Sequence, residues 1–70
     1  MVWIAYDPDA VRRAIVLKGL SPEDVARRTH GRLSGETIRR MQKGTHPTCE
    51  SAKLENLARA LYVDTEDLCC

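Results

Sequence analysis

No apolar run in this chain of 70 residues approaches the roughly 20 that cross a membrane as a helix. The opening stretch, MVWIAYDPD, lacks the basic segment and the cleavage pattern of a secretory signal. A cytoplasmic protein is therefore expected, with no membrane partner. Heptads, internal repeats and low-complexity segments are missing as well. The composition, 43% hydrophobic and 30% charged, suits a globular chain rather than a disordered one. A chain of this length forms one domain with a modest core.

Cysteine is scarce and badly placed for cross-linking. Cys49, Cys69 and Cys70 make an odd count, which argues against a disulfide framework, and neighbouring cysteines rarely bridge each other. Reduced thiols are expected. Paired Cys-x-x-Cys elements, the usual mark of structural zinc, are absent. His46-Pro-Thr-Cys49 has ligand-like spacing and, with Cys69 and Cys70, forms the one alternative zinc set. Without a paired element we expect neither a metal nor another cofactor. Catalysis is poorly served too. His30, His46, Asp7, Asp9 and the cysteines show no paired spacing, and little chain remains to build a pocket. No small-molecule substrate is expected.

Net charge is nearly absent, at +1, but its distribution is uneven. Residues 25–48 hold six basic side chains (Arg27, Arg28, Arg32, Arg39, Arg40, Lys43) against Glu36, a local +5. The remainder carries five basic and nine acidic residues, a balance of −4. A basic middle between acidic flanks suits a polyanion on one face. A merely solvated helix surface has the same look.

Few glycines and prolines are present, and they punctuate the chain. Asp7-Pro8 starts a helix that runs to about Lys18, with Val11, Ala14, Ile15 and Leu17 turned inward and Gly19 at its end. Ser21-Pro22-Glu23-Asp24 starts a second, short helix ending near Thr29, with Val25 and Ala26 inward. His30-Gly31-Arg32-Leu33 is the turn, and Leu33 plugs the core. Ser34 caps a third helix over about 35–43, with Ile38 and Met41 inward and Gly44 as its stop. Thr45-His46-Pro47-Thr48 is read as an extended loop, because the residue before a proline avoids helical backbone. A fourth helix spans about 50–62, with Leu54, Leu57, Ala58 and Leu61 at helical spacing. Residues 64–68 form a last short helical turn. Residues 1–6 form an arm or a strand, with Trp3 and Ile4 packing on the helices, and an isolated strand there needs a partner. The expected class is all-α, a compact bundle of about five short helices over residues 7–70.

Two helices joined by a tight turn can lay the second into the major groove, about 12 Å wide. The expected base contacts are Glu36, Thr37, Arg39 and Arg40. Either arginine can pair in a bidentate way with guanine, and Glu36 can accept from a cytosine amino group. Glu36 equally suits a helix N-terminus by its charge alone. Ser21, Arg32, Ser34, Lys43, Thr45 and His46 are the expected backbone contacts, and Gly35 permits close approach.

The three segments GLSPEDVARR, LSGETIRRMQKG and LENLARALYVDTEDL, in that order, resemble the helix-turn-helix domains of phage repressors and Cro proteins, the XRE-like group. The resemblance covers Gly19 to Leu68. It implies a bundle of about five helices, binding of double-stranded operator DNA, and a two-fold homodimer on a palindromic site. It further implies a small regulator of phage or mobile-element type acting by occupancy. A recombination accessory factor and an antitoxin or antirepressor that binds a protein partner are the alternative roles. The chain departs from the family at Pro22, where a phosphate-clamping Gln is common, and in a turn about two residues longer. A frequent family Arg–Glu pair falls on Ile15 and Gln42, so both partners are absent together.

Overall fold

Each of the first three helices begins where the sequence supplies a cap. In the computed structural model, which describes residues 2–44 and 47–69, Asp7 accepts a hydrogen bond from the Asp9 amide at 3.0 Å and Pro8 opens α1 (Pro8–Leu17). Ser21 and Asp24 form a reciprocal capping box on α2 (Pro22–Arg28). The Ser34 hydroxyl accepts from the Thr37 amide at 3.1 Å and starts α3 (Gly35–Lys43). Each such cap satisfies a backbone donor that the helix itself leaves open. The helix α4 (Ser51–Leu61) has no side-chain cap. It follows directly from a strand, and its first amide donates to the Val2 carbonyl at 2.8 Å.

The described residues form a mostly helical structure, but the all-α expectation needs a correction. Trp3–Ala5 (β1) pairs antiparallel with Thr48–Glu50 (β2), in the register Trp3 to Glu50, Ile4 to Cys49 and Ala5 to Thr48. The partner of the N-terminal strand thus lies within the same chain. Thr48, read as loop, belongs to this sheet, while Thr45 and His46 lie outside the described residues. A further bridge joins Tyr6 to Cys69, and the Asp7 amide donates to the Leu68 carbonyl at 2.7 Å. Both chain ends are held against the same side of the fold. The last helical turn is a 3-10 turn, Thr65–Asp67.

The core is built from Val11, Ile15, Val25, Leu33, Ile38, Met41, Leu54, Leu57, Ala58, Leu61 and Leu68, with Tyr6 and Cys49 closing it on the sheet side. The Cα radius of gyration, 10.4 Å, agrees with the about 11 Å expected of a compact domain this long.

Two inward assignments fail, each for a periodic reason. Leu17 is 83% exposed. It lies more than 100° around α1 from the Val11–Ile15 line, at about 100° per residue. Trp3 is also exposed. Successive strand residues point to opposite faces, so Ile4 packs on the core and Trp3 turns away. At the family's ion-pair positions, Ile15 is buried and the Gln42 carbonyl accepts from Arg12 Nη1 at 3.2 Å.

Candidate nucleic-acid interface

The surface in question is the outer side of α3. Ile38 and Met41 fix its inner side in the core. At about 100° per residue the opposite side carries Glu36 and Lys43 at its crest, flanked by Arg39 and Arg40. All four are exposed. The local sequence produces this split directly, since the two apolar residues recur at a spacing of three and every charged residue falls between them.

The two flanks differ. Arg39 leans toward α2 and pairs with Glu23. Arg40 pairs along its own helix with Glu36, Nη2 to Oε1 at 2.8 Å. Both expected guanine readers are therefore held by carboxylates in the free chain. All partners are more than half exposed, and such pairs contribute between 0 and about 1 kcal/mol. A phosphate or guanine can displace them cheaply. Meanwhile the pairs keep two long side chains extended over the face. Among the described residues Lys43 has no carboxylate partner.

The expected backbone contacts are scattered. The Ser21 hydroxyl is engaged inside its capping box, donating to Asp24 Oδ2 at 3.0 Å. That network of Ser21 backbone and side-chain hydrogen bonds, followed by Arg27, holds the Asp24 carboxyl below its ordinary range. With Glu23 and Asp24 in its first turn, the N-terminus of α2 carries negative charge, which opposes an anion there. Ser34 and Thr37 share a hydroxyl contact at 2.9 Å. Thr37 is half-buried on the sheet-facing flank rather than at the crest. Gly35 lies beside α2. A β-carbon there would stand 3.6 Å from the Glu23 side chain, an ordinary contact. Arg32 reaches back toward α4, its Nη1 3.4 Å from Asn56 Oδ1. Thr45 and His46 lie outside the described residues.

The connection between α2 and α3 is anchored by Thr29, which sequence reading treated only as a helix end. It is 4% exposed, and its hydroxyl donates to the Ala26 carbonyl at 2.6 Å and accepts from the Leu33 amide at 3.1 Å. His30 and Gly31 follow in the left-handed region, with φ of 57° and 81°. The additional residues thus form a loop folded back on Thr29, and Leu33 returns to the core. A hydroxyl-bearing residue four positions before a buried leucine was the only available signal.

A second feature was also missed. Between the sheet and α3 lies a cleft of about 540 Å³, with Trp3, Tyr6, Met41 and Cys49 on its apolar side and Arg40, Lys43 and Lys53 around it. Burial raises the Cys49 thiol above its ordinary range despite the nearby Lys53 charge, and burial likewise raises the Tyr6 phenol. Both stay protonated and neutral at neutral pH, so the charged lining is cationic. The strand residue Trp3 and the helix residue Lys53 are 50 positions apart, and only the strand pairing brings them together.

Among the described residues, no group of three or more His, Cys, Asp and Glu is placed to hold a metal ion. His46 and Cys70, two members of the alternative zinc set, lie outside those residues. No described helix is long and apolar enough to cross a membrane. Searches with the chain gave no matching protein-family model, no matching curated protein and no matching solved structure.

Proposed function

We propose that this chain binds double-stranded DNA in a sequence-dependent way, with α2 and α3 as a helix-turn-helix and α3 in the major groove. One observation carries the reading. The exposed side of α3 bears Arg39, Arg40 and Lys43, while its opposite side is locked into the core by Ile38 and Met41. A rigid helix with a cationic outer surface fits a groove that admits one helix. Arg39 and Arg40 are the proposed base readers, and Glu36 is released toward a cytosine amino group when Arg40 turns to DNA. Lys43 contacts phosphate. Small size and the resemblance support a regulator that acts by occupying an operator, as a repressor of phage or mobile-element type does.

Selection of bound duplexes from a random library tests this. An enriched motif is expected, and its symmetry reports whether one or two copies bind. Arg39→Ala and Arg40→Ala should each relax one position of that motif, by about 1–3 kcal/mol of discrimination, with unchanged circular dichroism. An enriched motif that both variants bind as tightly as the parent would sink the groove model.

A protein-binding role, as in an antitoxin or antirepressor, is favoured by a different observation. Val16 and Leu17 are 75% and 83% exposed side by side on α1. Failure to enrich any duplex, together with self-association or capture of a protein through this pair, supports that second reading.

A further inference from the structure

The cleft between the sheet and α3 is unaccounted for by a recognition helix alone. We propose that it is a second DNA subsite, which seats the sugar–phosphate backbone of the strand bordering the groove. This rests on the DNA-binding reading above and extends it to residues outside α2 and α3.

The occupant follows from the chemistry of the walls. Three cations, Arg40, Lys43 and Lys53, surround the cleft, and no carboxylate lines it. Among the described residues neither lysine is in an ion pair, and Glu36 holds Arg40 from the crest side rather than from within. The apolar side offers Trp3, which is 63% exposed although a large indole gains by burial. An anion with an apolar, ring-shaped portion matches both walls, and the phosphodiester–deoxyribose repeat is such a group. Position supports the same choice. Arg40 and Lys43 belong both to the cleft and to the outer side of α3, so a strand beside a groove-bound α3 runs along the cleft. Lys43 and Lys53 then meet phosphates, and the Trp3 ring packs on a sugar and offers its indole N–H to a phosphate oxygen.

Trp3 is the only tryptophan in the chain, so its fluorescence reports on the cleft directly. Titration with a duplex selected as above should change the Trp3 emission along the same isotherm as a gel mobility shift. Lys53→Gln should lower the slope of log affinity against log salt by about 1, equally for selected and random duplexes. Trp3→Ala should weaken binding roughly fivefold, the lower end of what an aromatic platform contributes. Lys18→Gln, at the far end of α1, should leave the slope unchanged. Both cleft side chains are exposed, and circular dichroism checks the fold of each variant. Duplex binding with silent Trp3 emission and an unaltered slope in Lys53→Gln overturns the subsite and leaves the recognition helix standing. Absence of any duplex binding overturns both. Binding of single-stranded DNA in preference to duplex, with Trp3 quenched, also overturns the proposal, because it assigns the cleft to bases rather than to a groove-bordering backbone.

Discussion

Gly44 shows how one residue can be held to one chemistry for two separate reasons. It ends α3 in the left-handed region at φ 71°, and a β-carbon there would stand 2.8 Å from the Pro8 ring of α1. Gly44→Ala should destabilise the chain by about 1–3 kcal/mol, read as a lower urea midpoint. Gly31, also left-handed but with open space around it, carries only the first of those reasons. Thr29 makes a complementary case. Thr29→Val keeps the shape and removes the hydroxyl, which leaves the buried Leu33 amide without its acceptor. The expected loss is about 1–3 kcal/mol, and amide exchange in the Thr29–Ser34 connection should quicken before exchange in α4 does. An unchanged urea midpoint for Thr29→Val counts against its anchoring role.

At the scale of elements, the caps explain why helix starts are legible and tertiary neighbours are not. Asp7-Pro8, Ser21-Pro22 and Ser34 announce α1, α2 and α3 through local hydrogen bonds that need only three or four residues of context. The same holds for the Gly19 and Gly44 stops. What Gly35 faces is a tertiary matter. The sequence suggests room for DNA, whereas the space beside it is bordered by Glu23 of α2. A methyl group fits there in ordinary contact, so Gly35→Ala should raise stability by about 0.4–1 kcal/mol through a less flexible unfolded chain. If Gly35 also permits close approach to DNA, affinity for the selected duplex falls while the urea midpoint rises. Parallel gains in both place Gly35 away from the interface. Likewise, the ion pairs of Arg39 and Arg40 depend on α2 lying beside α3 and on helical spacing within α3. The i, i+4 pair was open to a sequence reading, but the pair across the two helices was not.

For the whole molecule, the two chain ends matter more than their length suggests. β1, Tyr6 and Cys69 close one side of the core, and Tyr6 and Cys49 are buried there with raised pKa values. A raised value means that the folded state binds more protons than the unfolded one, so stability falls as pH rises. The contribution is complete below about pH 8.5, the ordinary thiol value, and is lost as pH climbs through the raised one. Urea midpoints measured from pH 7 to pH 10.5 should therefore decline from about pH 8.5. Cys49→Ala should flatten the first part of that decline and leave the part due to Tyr6. A decline of the same shape in both proteins removes Cys49 as its cause.

The sequence alone determined the helices, their caps, the apolar lines that fold them together and the cationic outer side of α3. All of these follow from spacing within a dozen residues, where backbone geometry dictates which side chains share a face. Only the tertiary structure decided that Trp3–Ala5 pairs with Thr48–Glu50, that Trp3 and Leu17 stay outside, that Thr29 anchors the turn, and that Trp3 meets Lys53 across a cleft. Strand pairing draws its hydrogen bonds from distant backbone, and a three-residue strand carries too little periodicity to name its partner.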